Sequence, residues 1–212
     1  MNKDGYTKRS AYFAFDNNYR KQGYSLIAGV DEAGRGCWAG PVVAAALIFP
    51  ADFYIADLRD SKLLSPKKRE KIFDLMLKTP ISWGVGIVGR EEIDRINIHQ
   101  ASLKAMFEAL QQLSSSPQLV LVDGCFPIPK VSFPQEILIK GDQRSASIAG
   151  ASVLAKVIRD RLMRKLDKVY PEYNFAIHKG YGTRLHQQAL EKHGPCPLHR
   201  RSFAPIKGFY AA

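Results

Sequence analysis

Two apolar segments separated by acids and glycines place the strongest constraint on what this chain can fold into. They lie in LIAGVDEAGRGCWAGPVVAAALIF, residues 26 to 49. Residues 24 to 30 and 41 to 49 are short, apolar and rich in β-branched or small residues, which is typical of buried strands. The glycines between these runs predict a tight hairpin. We therefore expect two neighbouring strands, with charged residues where the first strand ends.

The rest of the chain alternates between helical and strand patterns. Ser65 and Pro66 suit an N-cap and a first helical position, and Ile72, Leu75 and Met76 have the spacing of one buried face. Further strands are predicted at residues 81–89, 118–124 and 136–142, and further helices at 96–113, 144 to about 168, and 183–194. This order predicts an α/β fold with a mixed central sheet flanked by helices and a helical C-terminal segment.

Length and composition suit a single domain with a sizeable core. The chain has 212 residues, of which 46% are hydrophobic. We expect residues 1 to about 11 to be disordered, and residues from about 183 to 212 to form the helical C-terminal segment and tail. No apolar run reaches the roughly 18 residues of a membrane span, and the polar N-terminus lacks the apolar core of a signal peptide. These features predict a cytoplasmic protein without membrane contact.

The charge balance favours a polyanionic partner. Lysine and arginine number 31 against 20 acids, which gives a net charge of +11. Such an excess is typical of proteins that bind nucleic acid, although some bacterial housekeeping proteins are basic without binding any polyanion.

The cysteines indicate neither a disulfide framework nor a common zinc motif. They are Cys37, Cys125 and Cys196, and no two have CxxC spacing. The segment HGPCPLH places Cys196 between His193 and His199, which resembles metal-ligand spacing. Structural zinc sites use four ligands, so we expect reduced thiols and an ordinary loop here.

Four acids share a position that is unusual for acidic residues. Asp31, Glu32, Asp123 and Asp142 each stand at or just past the end of an apolar strand-like run. Any one of them could cap a turn or helix, but strand ends from one sheet edge converge, and gathered carboxylates repel unless a cation neutralises them. Oxygen ligands without nearby histidine or cysteine indicate Mg²⁺ or Mn²⁺. Two such ions about 4 Å apart promote phosphodiester displacement, so the pattern predicts a nuclease.

The segment GRG after the first two acids predicts a binding role. Adjacent strand residues face opposite sides, so Asp31 and Glu32 can share a site only if the backbone turns, which Gly34 allows. The glycines leave the backbone amides of Gly34, Arg35 and Gly36 open to a ribose or phosphate, with Arg35 as a charged arm. A plain hairpin turn is the alternative interpretation.

Seven motifs follow one another along the chain: AGVDEAGRG, GPVVAAA, DSKLLS, VDG, KGD, SIAGASVLAKVIRDR and HKGYGT. This series resembles bacterial ribonuclease HII, the type 2 ribonucleases H, from about Phe13 to Pro205. The resemblance implies a ribonuclease H-like fold with a helical C-terminal part. It also implies metal-dependent hydrolysis, with two ions in the active complex, of RNA in RNA/DNA hybrids and at single ribonucleotides embedded in duplex DNA.

The resemblance also assigns roles to individual residues. It implies that the catalytic acids, which also bind the metal, are Asp31, Glu32, Asp123 and Asp142. Gly34, Arg35 and Gly36 would recognise the ribose 2′-hydroxyl and its flanking phosphates, and Tyr181 of KGYGT would stack at the RNA-to-DNA junction.

Several basic residues near these motifs are candidate phosphate contacts. They are Lys62 of DSK, Lys156, Lys179, Arg200 and Arg201. His178 is a candidate for orienting the scissile phosphate, although loop histidines usually do no chemistry.

Two other classes of function stay open. One is another ribonuclease H-fold nuclease, of resolvase or transposase type, which also uses clustered acids. The other is a non-catalytic basic RNA-binding module, but the sequence lacks the RRM-like pattern of exposed strand aromatics that would favour it. GRG and KGYGT favour an enzyme that recognises a 2′-hydroxyl. We expect a monomer that binds RNA/DNA hybrids and ribonucleotide-containing duplex DNA.

Overall fold

A computed structural model describes residues 3–79 and 81–210 of the chain. The strands are β1 (Ile27–Ala33), β2 (Val42–Ile48), β3 (Ser82–Val88), β4 (Leu119–Asp123) and β5 (Gln135–Leu138). The helices are α1 (Lys3–Lys21), α2 (Pro66–Leu77), α3 (Arg90–Gln111), α4 (Ala146–Asp167), α5 (Phe175–His178), α6 (Arg184–His193) and α7 (Ala204–Lys207). Short 3₁₀ turns lie at Ser61–Leu63, Gly141–Gln143, Pro171–Tyr173 and Gly208–Tyr210.

The strands form one mixed sheet in the order β3-β2-β1-β4-β5. β1 pairs antiparallel with β2, and β2 pairs antiparallel with β3. β4 runs parallel to β1, and β5 runs parallel to β4. The mixed sheet confirms the predicted fold class. It also places the carboxyl ends of β1, β4 and β5 at one edge.

Helices cover both faces of this sheet. α4 packs against β1 and β2 on one face, and α3 packs against β2 and β3 on the other. α4 comes so close at Gly29 that an added Cβ would lie 2.1 Å from the backbone carbon of Ser147. Small residues of α4 are buried at this contact, namely Ala146, Ala149, Gly150, Ala151 and Ala155. Small side chains at the contact therefore bring α4 close to the strand that carries the first two acids.

The predicted helix ends are mostly confirmed. Ser65 caps α2, Thr183 caps α6, and α6 ends at Gly194. The predicted buried face of α2 is partly wrong, because Leu75 is 46% exposed while Phe73 is buried. α2 packs against α4, and this contact turns Phe73 inward.

The predicted tight hairpin between the first two strands is wrong. β1 continues to Ala33, and residues 34–41 form a longer connection to β2. Asp31 pairs with Ala45 and Glu32 with Ala44. Both acids therefore lie inside β1 rather than past its end, held there by the partner strand.

The N-terminal helix α1 was not predicted. From Lys3 onward the backbone is helical, so the expected disorder up to about residue 11 is wrong there, while residues 1 and 2 lie outside the described residues. The Asp16 carboxylate accepts hydrogen bonds from the amide and the hydroxyl of Ser147, at 2.8 and 2.7 Å. Phe13 packs against Phe49 with ring centroids 5.9 Å apart. These long-range contacts hold α1 against the start of α4.

The C-terminal segment forms a small core with the end of α4. Met163, Phe175, Leu190 and Ile206 are buried together there, and Trp38 packs against them. The backbone of residues 38–40 hydrogen-bonds to residues 180, 198 and 200. The loop after β1 is therefore held between the rest of the chain and its C-terminal segment. Within the described ranges, no helix is long and apolar enough to cross a membrane.

Candidate active site

Three of the four predicted acids meet at the carboxyl-end edge of the sheet. One carboxylate oxygen each from Asp31, Asp123 and Asp142 lies within 4.8 Å of the other two. Asp31 and Asp142 are buried, and Asp123 is half-buried. In the part of the chain that the structure describes, no other group of histidine, cysteine or acidic residues has this geometry.

Sheet geometry explains why these three acids meet. In the parallel pairing of β1 with β4, the last partners are Val30 and Val122. Asp31 and Asp123 follow these partners directly, so their side chains are neighbours on the same face of the sheet. Asp142 follows β5 in a 3₁₀ turn, where the amide of Gly141 donates to Asp123 Oδ1 at 2.7 Å. The turn therefore brings the third carboxylate back to the first two.

Glu32 borders this cluster. Strand alternation directs its side chain away from that of Asp31. Its amide donates to Asp31 Oδ1 at 2.7 Å, and its carboxylate lies 3.7 Å from the Arg35 guanidinium. It still lines the same surface depression as Asp31 and Asp123. The strand thus separates the two adjacent acids without removing Glu32 from the site.

The carboxylates repel one another. Burial, together with the nearby Glu32 and Asp123, raises the pKa of Asp31 well above its ordinary value. Burial, Asp123 and Asp60 raise the pKa of Asp142. Burial raises the pKa of Glu32 as well. A cation would relieve this repulsion, and a set of carboxylate oxygens without histidine or cysteine suits Mg²⁺ or Mn²⁺.

Lys62 reaches the cluster from the 3₁₀ turn Ser61–Leu63. Its Nζ lies 3.3 Å from Asp142 Oδ2, while its side chain is 74% exposed. Partial burial acts to lower the pKa of Lys62, but Asp142 and Asp31 outweigh it and raise the pKa. So exposed an ion pair contributes about 0–1 kcal/mol. The ammonium group is therefore weakly held and lies within reach of both the acids and solvent.

The segment Gly34–Gly36 borders the same depression as the acids. Gly34 has φ +93°, and a Cβ there would lie 1.9 Å from Arg159 Nε, so this position requires glycine. Arg35 and Gly36 are exposed, and a Cβ at Gly36 would meet no atom within 4 Å. The backbone at Arg35 and Gly36 therefore faces open space beside the acids.

Tyr181 also lines this depression. It is 39% exposed, and its hydroxyl lies beside the buried thiol of Cys37. Burial and the neighbouring Cys37 raise the pKa of Tyr181 to about 12. Lys156 Nζ lies 5.3 Å from the ring centroid, in cation–π range. The polar end of the ring thus points toward buried groups, and part of its surface stays open.

Comparison with known proteins identifies the family. The family model described as ribonuclease HII matches residues 28–206. The chain belongs to the ribonuclease HII family. It is 50% identical over 197 residues to the ribonuclease HII of Endomicrobium trichonymphae, which covers 93% of this chain and 94% of that relative. This membership makes the chain a metal-dependent ribonuclease H, and it confirms the resemblance predicted from the motifs.

Solved structures of related enzymes confirm the ribonuclease H-like fold. The ribonuclease H2 from Pyrococcus horikoshii OT3 is 27% identical with a TM-score of 0.73, covering 87% of this chain and 96% of that one. Bst-RNase HIII in complex with Mn²⁺ is 17% identical with a TM-score of 0.69, covering 88% and 69% respectively, and this likeness concerns the fold alone.

In this member of the ribonuclease HII family, His178 supports a loop instead of facing a phosphate. Its Nε2 donates to the carbonyl of Tyr173 at 2.7 Å, and its Nδ1 accepts the amide of Gly180 at 3.1 Å. Both ring nitrogens are engaged and the side chain is buried. The interpretation of His178 as a phosphate-orienting residue is therefore wrong.

Two further buried histidines join the Tyr181 segment to the C-terminal tail. His186 Nδ1 donates to the carbonyl of Tyr181 at 3.0 Å. A neutral imidazole has one donor and one acceptor nitrogen, so His186 Nε2 accepts a hydrogen bond from His199 Nε2, also at 3.0 Å. His199 Nδ1 accepts the amide of Cys196 at 2.9 Å. This chain of bonds requires both rings to be neutral. Cys196 and His199 thus have structural roles, and His193 of the same segment is exposed.

The ring resonances of His186 and His199 are expected to remain those of neutral imidazole from about pH 7.5 down to about pH 5. Burial lowers the pKa of each ring from 6.5 to about 4. As the pH falls through this range, the unfolded chain takes up protons that the folded chain does not, so the free energy of unfolding decreases. Histidine NMR titration with parallel denaturation measures both effects. A midpoint near 6.5 for either buried ring would contradict the hydrogen-bond assignment.

Arg200 is not the exposed phosphate contact that was predicted. Its side chain is fully buried, and all its hydrogen bonds go to backbone carbonyls. Lys156 does line the depression, where its ammonium lies 2.7 Å from Asp160. Lys179 donates to the carbonyl of Ala176. Arg201 is exposed and lies over the ring of Tyr210.

Ser152 and Arg159 are site residues that the motifs alone did not assign. The Ser152 hydroxyl lies beside Asp31, where it acts to lower the pKa of that carboxyl, and it is 2.8 Å from the Ser61 hydroxyl. Arg159 donates to three backbone carbonyls beneath the loop after β1 and beside Tyr181. Polar side chains recur at residues 152, 156 and 159 of α4, which is the spacing of one helix face. The first two follow mostly apolar residues, and this spacing is the signal that could have indicated the face.

Proposed function

We propose that this enzyme cuts duplex DNA on the 5′ side of a single embedded ribonucleotide, as well as the RNA strand of RNA/DNA hybrids. It leaves 3′-hydroxyl and 5′-phosphate ends, and it acts as a monomer in the cytoplasm. The observation that supports this best is one depression lined by Asp31, Glu32 and Asp123 together with Gly34–Gly36 and Tyr181. We call Gly34–Gly36 the hydroxyl-binding segment, because its backbone amides are proposed to bind the ribose 2′-hydroxyl. A nuclease that bound only phosphates would not need such a segment beside its acids.

The catalytic acids are proposed to hold two Mg²⁺ or Mn²⁺ ions. Asp31, Asp123 and Asp142 offer converging oxygens, and Glu32 borders them. When bound, the ions would supply an activated water and charge stabilisation at the leaving 3′-oxygen. The protein's part is to hold the carboxylates in place. The Ser152 hydroxyl lies beside Asp31, and the amide of Gly141 donates a hydrogen bond to Asp123.

The hydroxyl-binding segment and Tyr181 are proposed to select the cutting position. Arg35 and Gly36 are exposed, and their amides, which have no partner among the described residues, can donate to a 2′-hydroxyl oxygen, while the Arg35 guanidinium contacts a flanking phosphate. The open surface of Tyr181 stacks on the following deoxyribose, where a second 2′-hydroxyl would crowd the ring. Lys62, weakly tethered to Asp142, adds a phosphate contact near the cut.

Duplex binding is expected to weaken about a thousandfold between roughly 50 and 200 mM salt, because lysine and arginine contacts release counterions from the phosphates. The net charge of +11 is the basis for this expectation. Fluorescence anisotropy on two duplexes of unrelated sequence measures the slope. Equal slopes for both sequences are predicted, and an affinity independent of salt would contradict the phosphate-based mode.

The proposed substrate class is tested by comparing four labelled substrates with and without Mg²⁺. These are an RNA/DNA hybrid, a DNA duplex with one ribonucleotide, an all-DNA duplex and single-stranded RNA. Cleavage of the first two alone, and only with the ion, supports the proposal. Cleavage of all-DNA duplex would instead favour a nuclease of resolvase type.

A further inference from the structure

Arg200 is a buried arginine that has no role in the proposed cleavage chemistry. It comes from the C-terminal tail, yet its guanidinium lies directly behind the Gly34–Gly36 segment. Nη2 donates to the carbonyl of Gly34 at 2.7 Å, Nη1 to that of Arg35 at 2.8 Å, and Nε to that of Gly40 at 3.0 Å. Within the described chain, no acidic side chain forms an ion pair with Arg200. A buried charge has therefore been used to hold backbone carbonyls.

The hydrogen bonds from Arg200 also determine the direction of the neighbouring backbone amides. In a trans peptide the carbonyl of one residue and the amide N–H of the next point in opposite directions. With the carbonyls of Gly34 and Arg35 drawn inward by Arg200, the N–H groups of Arg35 and Gly36 must point outward. Neither amide donates a hydrogen bond to any described residue. Both residues are exposed beside the acid cluster.

We propose that Arg200 is a positioning residue for ribonucleotide recognition, because it aims the Arg35 and Gly36 amides at the substrate's 2′-hydroxyl and adjacent phosphate. This inference rests on the proposed function. Arg159 has a different task, since its guanidinium holds the carbonyls of Ala39, Pro41 and Lys179. Both arginines support the second half of the loop, but only Arg200 donates to the carbonyls of Gly34 and Arg35, which precede the two amides.

The planar guanidinium suits this task in a way that lysine does not. Its nitrogens form a rigid fork that donates to several acceptors in fixed directions, whereas an ammonium group is a single point charge. Arg200→Lys would keep the charge but could not donate to the carbonyls of both Gly34 and Arg35 in fixed directions. Arg200→Met would keep much of the volume and remove every donor. Arg95→Met is the matched control, because Arg95 is an exposed arginine on α3 that pairs with Glu92.

The test is the ratio of two dissociation constants, measured by anisotropy with Ca²⁺ replacing Mg²⁺ to slow cleavage. One duplex carries a single ribonucleotide and the other is all DNA. The wild type should prefer the ribonucleotide by about tenfold, as expected for one or two hydrogen bonds. Arg200→Lys and Arg200→Met should lower this ratio nearly to one, and Arg95→Met should leave it unchanged.

Three results separate the possible failures. Arg200 variants that bind both duplexes less well, or melt earlier, while keeping the wild-type ratio would overturn the positioning role and leave the proposed function intact. A wild-type ratio of one would overturn hydroxyl recognition itself, and the inference with it. If the variants do not fold, wild-type ¹⁵N spectra decide the matter. The amide resonances of Arg35 and Gly36 should shift with the ribonucleotide duplex and not with all-DNA duplex, and identical spectra would overturn the proposal.

Discussion

Asp31→Asn is expected to slow phosphodiester hydrolysis by about a thousandfold or more, since a bound metal ion supplies several kcal/mol of transition-state stabilisation. Asp31 is a member of the three-aspartate cluster, and its neighbour Asp123 lies on the adjacent parallel strand. An amide at this position keeps the shape but loses the charge that attracts the cation. Initial cleavage rates on an RNA/DNA hybrid at saturating Mg²⁺ measure the loss. Asp52→Asn, at an exposed turn, is the matched control.

The same variant should be more stable than the wild type in EDTA. Burial, Glu32 and Asp123 raise the pKa of the Asp31 carboxyl, so at neutral pH its ionised form opposes folding. Saturating Mn²⁺ should raise the melting temperature of the wild type by about 5 °C and that of Asp31→Asn much less. A variant that retains wild-type activity, or that shows the full Mn²⁺ shift, would contradict the assignment of Asp31 as a metal ligand.

Tyr181→Ala is expected to lose ten- to hundredfold activity on a single embedded ribonucleotide, because a stacking contact contributes about 1–3 kcal/mol. The loss on an all-RNA hybrid strand should be smaller, since no RNA-to-DNA junction has to be recognised there. Tyr181→Phe should lose less than Tyr181→Ala if stacking is the main contribution. It removes only the hydroxyl beside Cys37 and keeps the ring near Lys156.

Melting temperatures distinguish stacking from a purely structural role for Tyr181. Tyr210→Ala is a matched control, because Tyr210 is 42% exposed compared with 39% for Tyr181. It should leave both substrates unaffected. If Tyr181 only packs beneath the loop, Tyr181→Ala would melt earlier and lose activity equally on both substrates. Equal losses would therefore refute the junction-sensing role.

The position of the acids could be predicted from sequence because strand patterns are local. Apolar runs ending in Asp123 and followed by Asp142 marked one sheet edge, and parallel pairing then placed these residues beside Asp31. The separation of Glu32 from the cluster could not be predicted. It depends on β2, which keeps pairing with β1 beyond the acids and so preserves strand alternation.

The supporting residues could not be predicted because their partners are distant in the chain. Arg200 appeared as one basic residue in a basic tail, and only the folded chain brings it to carbonyls about 160 residues earlier. Asp16 likewise lies in a polar N-terminal stretch and meets Ser147 only after α1 docks. The local sequence pattern indicates the acids, because each follows an apolar strand-like run. It does not indicate Arg200 or Asp16, because their partners are far away in the sequence.

The most direct test of the central claim is to map the cut in a DNA duplex that carries one ribonucleotide. We expect a single incision on the 5′ side of that nucleotide, dependent on Mg²⁺ or Mn²⁺, with 3′-hydroxyl and 5′-phosphate ends. The same duplex with a deoxynucleotide at that position should stay intact. Cleavage in EDTA would contradict the proposed metal-dependent hydrolysis. So would a 2′,3′-cyclic phosphate end, because the substrate's own hydroxyl would then be the nucleophile.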